Sequence, residues 1–301
     1  MFSRCLLFPL FLFLTVTAGA QIVPTPTPTP KPGTRQANPM IGDNAKYDRL
    51  QSVEMMQPKD RPDHPLLDPK KGIYRRPGKE ETAVLAVAEQ HLARYSAFLG
   101  QPETGIVKLN ADSSCISDED QITASEQCLP FKMPGAGTSF SFRTESYRLP
   151  RIADIILFDG VFRTGGVYQY VVMAEIGDVP IEDVAFETKG LKYLLDLKPV
   201  RDSAEFLRYN DEIVKGIEAD GFLYRKGHHV RENWTYILRS IAYRGQFFRS
   251  IGGVRYDELD LDRRRDIIVA FRVIERDSTG NVTIAWKVLK DNEAPKLKVV
   301  K

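Results

Sequence analysis

Asp154 and Asp159 bracket the apolar run ADIILFDG, and a carboxylate at a strand end is a common seat for a general acid or base. A glycosidase-type pair needs its second carboxyl roughly 5–10 Å away. Linear spacing does not set that distance, and Asp159 stands before Gly160 as a turn residue would. His228-His229 invites a metal or base role, but strand neighbours point to opposite faces, and Arg225, Lys226 and Arg231 would repel a cation. Asp118-Glu119-Asp120 and the group Asp257, Glu258, Asp260 and Asp262 carry oxygen ligands of the kind calcium takes. The second group runs into Arg263-Arg264-Arg265 where a calcium loop would bring glycine and more carboxylate. GxxxxGK[ST], HExxH, GxSxG and CxxC do not occur, and Gly135-Ala136-Gly137 lacks the third glycine of a dinucleotide loop. The reading is therefore no catalytic residue, no metal ligand and no cofactor.

The constellation that does suggest binding is basic. WTYILRSIAY, DIIVAFRVIE and NVTIAWKVLK are dense in β-branched and aromatic residues, and RDSTG between the last two has hairpin-turn composition. As adjacent antiparallel strands they would put Ile267, Val269, Phe271 and Val273 on one face with Val282, Ile284, Trp286 and Val288. Arg239, Arg272 and Lys287 then share the opposite face, a candidate site for a small anionic ligand. The competing reading pairs the three cations with Glu275 and other acids on an ordinary covered face.

Those cations need a sheet beneath them and something packed around it. From Lys79, the residues Val84, Val87, Ala88, Leu92, Tyr95, Phe98 and Leu99 recur at three- and four-residue steps, which predicts an amphipathic helix stopped by Gly100 and Pro102. His91 lies on or beside its apolar face as a core histidine. SFSFRTESY alternates as a strand. Ile152 to Ile176 reads as a hairpin turning at Thr164-Gly165-Gly166, and IEDVAFETKG and LKYLLDLKP read as two further strands. A second short helix fits Ser203 to Lys215, opened by Asp202 and Glu205 at capping-box spacing and ended by Gly216. The expected fold class is α+β: a mostly antiparallel sheet, as a sandwich or partial barrel, with the N-terminal helix packed on it. Lys79–Lys301 would form one β-rich domain.

The N-terminal third speaks of location. Arg4, the apolar stretch Leu6 to Val16 and Ala18-Gly19-Ala20 have the layout of a signal peptide over residues 1–20, and the stretch is shorter than the roughly 20 residues that span a bilayer. Residues 21–78 follow as a spacer: alternating Thr and Pro from Pro24, then prolines among charged residues up to Gly78. Export to a secreted or periplasmic location would place Cys115 and Cys128 in an oxidising compartment, where they are expected to form a disulfide. The net charge is +2, Arg4 leaves with the leader, and residues 21–78 carry ten Lys/Arg against six Asp/Glu, so Lys79–Lys301 is about −3. Such a balance argues against nucleic acid as the partner, and no transmembrane segment is expected once the leader is removed. The function expected is an exported non-catalytic domain that binds a protein or small-molecule partner or serves the cell envelope. A secreted hydrolase using carboxylates or histidines and a periplasmic binder of a small anionic ligand are the rivals.

Overall fold

The computed structural model describes residues 74–120, 126–251 and 254–298; the expected signal peptide and nearly all of the spacer lie outside them. Fourteen strands occur among the described residues. They are β1 Thr104–Leu109, β2 Ser139–Ser141, β3 Ser146–Tyr147, β4 Ile155–Phe158, β5 Val161–Arg163, β6 Gln169–Gly177 and β7 Ile217–Ala219. After these come β8 Phe222–Tyr224, β9 Gly227–His229, β10 Thr235–Ala242, β11 Phe248–Ile251, β12 Val254–Asp257, β13 Arg265–Arg276 and β14 Val282–Glu293. The fold is mostly antiparallel sheet with a few short helices.

The central sheet runs β1-β14-β13-β10-β6, and a second sheet runs β3-β2-β4-β5-β9. One core fills the space between them, where Phe271 stacks on Tyr236 with ring centroids 5.1 Å apart and Phe140 meets Trp286 at 6.0 Å. A second core covers the other face of the central sheet, where Leu191, Leu194, Phe206 and Ile213 from two helices pack on Val172, Ile237, Ile268 and Ala285. Being covered on both faces explains why β10 is buried along its whole length and reads as an apolar run, not as strict alternation. The expected adjacency of the three C-terminal strands is present: Leu238 pairs with Val269, and Phe271 with Trp286.

Several local expectations are corrected. LKYLLD is a helix, Leu191–Asp196, and IED is a 3₁₀ turn, Ile181–Asp183, not strands. Leu191 and Leu194 are both fully buried, three residues apart, which is helical spacing within a run too short for composition to decide. SFSFRTESY breaks after Ser141 into the β2–β3 hairpin, with Glu145 at φ 51° in the turn. The hairpin after Ile152 turns at Asp159-Gly160, both at positive φ (51° and 65°), as a two-residue type I′ turn requires. Thr164-Gly165-Gly166 instead links β5 to β6, which belong to different sheets. The stretch expected as one N-terminal helix is four short turns, Lys79–Thr82, Ala83–Leu85, Glu89–Arg94 and Ser96–Leu99. Leu85, His91, Tyr95 and Phe98 are buried, while Val84 and Leu92 are exposed. Ser203–Lys215 is helical as expected, with Asp202 accepting from the Ala204 and Glu205 amides at 2.8 and 3.1 Å.

Packing already begins at Tyr74, buried with Leu149 and Ile152, its carbonyl accepting from Arg148 at 2.5 Å. Cys115 and Cys128 are disulfide-bonded and buried beside Ala136 and Phe131. Closing a loop with 13 residues of separation is worth about 3 kcal/mol in the chain-entropy treatment. We expect no free thiol when the unreduced, leader-free protein is unfolded and titrated, and a stability loss of that size on reduction. Two titratable thiols would contradict the bond.

Candidate functional site

The three cations singled out from the sequence do lie on one face of the central sheet, the face that the helices cover, but each already has partners inside the protein. Arg239 is 4% exposed. Its guanidinium grips Asp266 with Nε and Nη2 at 2.8 and 2.7 Å, and its Nη1 donates to the Leu194 and Leu197 carbonyls at 2.7 and 2.6 Å. Four of its five N–H donors are thus engaged. Arg272 donates to Asp178 Oδ1 at 2.6 Å and to the Val179 carbonyl at 2.9 Å, and Lys287 Nζ to the Glu182 carbonyl at 3.1 Å. The face is built to hold the loop after β6 and the Leu191–Asp196 helix against the sheet.

The carboxylates and histidines are equally enclosed. Asp154 is fully buried and accepts from Ser240 Oγ (2.6 Å), Gln169 Nε2 (2.8 Å), Arg143 Nε (2.9 Å) and Ser141 Oγ (3.1 Å). The same arginine is ion-paired to Asp262, which also takes Arg264 at 2.9 Å. Burial opposes charge on Asp262, yet the two guanidiniums outweigh it and hold its carboxyl below the ordinary range. His228 is buried with Nε2 3.0 Å from the Met173 carbonyl and Nδ1 3.1 Å from Glu175 Oε1, while His229 is exposed. Asp257 accepts from the Phe247 and Leu259 amides, and Glu258 is buried against Arg151 and Arg249, so neither is turned toward a shared ion. Asp118–Asp120 fall in a 3₁₀ turn. Among the described residues no three His, Cys, Asp or Glu side chains converge.

The feature that invites a ligand was not legible as a site in the sequence. Between β1, the edge of the central sheet, and β3, the edge of the second sheet, lies a cleft of about 520 Å³, well within the size range of ligand pockets. Leu85, Val107, Phe140, Tyr147 and Trp286 give it an apolar lining, with Arg76 and Glu145 exposed at the rim. Trp286 is 3% exposed, and its indole Nε1–H has no acceptor among the described residues. The ring lies over Gly105, its cross-strand neighbour: a Cβ there would sit 2.4 Å from the indole, so only glycine admits this packing. An unmet buried donor costs about 1–3 kcal/mol, which an acceptor brought in by a ligand would recover. Seven other buried side-chain atoms among the described residues are also unmet, including Asp262 Oδ1 and Gln169 Oε1, whose side chains are held by other bonds, and the Tyr170 and Tyr256 hydroxyls; none of the seven belongs to the cleft's lining.

Nothing in the cleft's lining forms a nucleophile and base. Ser146 Oγ is paired with Thr144 at 3.0 Å, and Tyr147 Oη donates to the Lys108 carbonyl at 2.5 Å, its phenol pushed well above the ordinary value by burial. Lys108 is bound to Asp277 at 2.8 Å; there burial is outweighed by the Lys108 and Thr279 hydrogen bonds, which hold the Asp277 carboxyl far below its usual range. The cleft is thus largely apolar, and Trp286 in its lining carries a donor with no acceptor among the described residues. No helix among the described residues is long and apolar enough to cross a membrane. Comparison with family models, with curated proteins and with solved structures finds no match to this chain.

Proposed function

We propose that this chain is an exported, non-catalytic binding domain, spaced by its Thr-Pro segment and recognising its partner through the cleft beside Trp286. The observation that carries the reading is Trp286 in the lining of an apolar cleft, its buried indole N–H without an acceptor among the described residues. Export rests on the leader-like first 20 residues and is supported by the Cys115–Cys128 disulfide. The hydrolase alternative draws no support from Asp154 and His228, whose polar atoms face protein partners.

The test uses an apolar molecule with one carbonyl acceptor, N-butylacetamide, titrated into the nitrogen-15-labelled, leader-free protein. The indole N–H resonance of Trp286 should move downfield in a saturable way as it gains an acceptor. The only other indole, Trp234, under Arg231 at 4.3 Å, should not. If Trp286 does not move, or both indoles drift linearly together, the cleft is not a binding site.

A further inference from the structure

The edges that frame the cleft carry more than an indole. In β1 the backbone groups of alternate residues point opposite ways. Val288 N donates to the Glu103 carbonyl at 2.9 Å, so Gly105, Val107 and Leu109 continue the ladder to β14, and Thr104, Ile106 and Lys108 turn their N–H and C=O groups outward. Two independent bonds agree with this phase. The Lys108 carbonyl accepts from Tyr147 Oη at 2.5 Å, and Asn110 N donates to the Gly137 carbonyl at 2.9 Å, both away from β14. Among the described residues, the Ile106 amide and carbonyl and the Lys108 amide have no backbone partner. Across the cleft, Arg148 N bonds to the Ser139 carbonyl at 3.3 Å, which leaves the backbone groups of Tyr147 on the outer side of β3.

An edge of this kind is usually defended by proline, by a bulge, by an outward charge or by a covering segment. β1 holds no proline and pairs with β14 in unbroken register. Its one charge, Lys108, is tied down by Asp277 at 2.8 Å. The Ala83–Leu85 turn packs on β1, and Leu85, Ala86 and Val87 wall the cleft beside this edge, which would receive side chains at every second position of an added strand and has Trp286 in its lining. A small molecule meets the indole but leaves the edge unpaired. An extended polypeptide meets both.

From this juxtaposition, and resting on the cleft reading above, we infer that the partner is an extended segment of another protein, which adds as a strand to the free edge of β1 and seats alternate apolar side chains against Val107, Phe140 and Trp286. Main-chain pairing gives such a complex its register, and the cleft selects for apolar residues at alternate positions. Gly105 serves both parts, since it leaves the indole flat on the sheet.

The probe is the peptide acetyl-Thr-Val-Thr-Val-Thr-amide, with two relatives of the same sequence, one N-methylated at both valines and one at the three threonines. Valine side chains entering the cleft place all valine amides on one side of the strand and all threonine amides on the other, so only one methylated form loses pairing with β1. We expect the parent to shift the Trp286 indole resonance and to slow exchange of the Ile106 and Lys108 amide protons at least tenfold at saturation. One methylated form should bind like the parent and the other at least tenfold more weakly. The Ile106→Pro variant should lose the parent peptide while keeping the wild-type circular dichroism, because proline is tolerated where an edge N–H is unpaired. If that variant unfolds, the methylation series on the wild-type protein still decides. If both methylated forms bind like the parent, or no peptide binds although N-butylacetamide still moves Trp286, strand addition is wrong and the cleft reading stands. If N-butylacetamide also fails, both are wrong.

Discussion

Replacing Arg143 with methionine is expected to cost the folded domain about 3–5 kcal/mol, because it takes the guanidinium from two fully buried carboxylates, leaving Asp154 without its cation and Asp262 with Arg264 alone. For a domain of this size that is a fall of roughly 10 °C or more in Tm, read by calorimetry at pH 7. Arg143 also donates to the Ile152 carbonyl at 2.7 Å and to the Arg263 carbonyl at 2.8 Å, so the loss reaches both the second sheet and the turn before β13. The double variant Arg143→Met, Asp154→Asn should recover part of the loss, since Asp154 is then uncharged and Asp262 keeps its pairing with Arg264. The pH dependence has a definite sign. In the wild type Asp262 is held below its ordinary value, so its contribution is complete above about pH 4 and fades as pH falls through the lower folded value. An unchanged Tm would mean that the network between the sheets is dispensable.

The second large effect separates the three cations by burial. Arg239→Gln should cost about 3–5 kcal/mol: it leaves the buried Asp266 without its fork and frees the Leu194 and Leu197 carbonyls at the C-terminal end of the Leu191–Asp196 helix. Arg272→Gln breaks an ion pair whose aspartate, Asp178, is 70% exposed, and should cost at most about 1 kcal/mol. Urea midpoints at matched slope measure the difference. Equal and small losses at both positions would show that the Arg239–Asp266 pair does not hold the helical layer, and would return these cations to the role of ligand-binding groups.

What the sequence made legible follows from where its information is local. The adjacency of β10, β13 and β14 could be read because long apolar runs covered on both faces admit few alternatives, and Asp202 announced the Ser203–Lys215 helix through its own cap. The helix at Leu191 was hidden because six apolar-rich residues satisfy both periods, and only burial against the sheet decides. β1 was hidden because Gly105 and Lys108 interrupt its apolar pattern. The ion network was hidden because Arg143, Asp154 and Asp262 come together only through the pairing of the sheets. The cleft follows the same rule. Trp286 was correctly placed on the core face, but the glycine that admits its indole, Gly105, lies opposite it on a strand drawn from the other end of the domain.

The central claim is that the Trp286 N–H is a recognition group and not a structural one. The most direct measurement compares the wild type with Trp286→Phe, following N-butylacetamide through the Ile106 and Val107 backbone amide shifts. Because the indole N–H makes no bond among the described residues, its removal should relieve an unmet donor and leave the fold intact, while the probe binds at least tenfold more weakly, the worth of one buried hydrogen bond. Undiminished affinity in the folded variant would contradict the account.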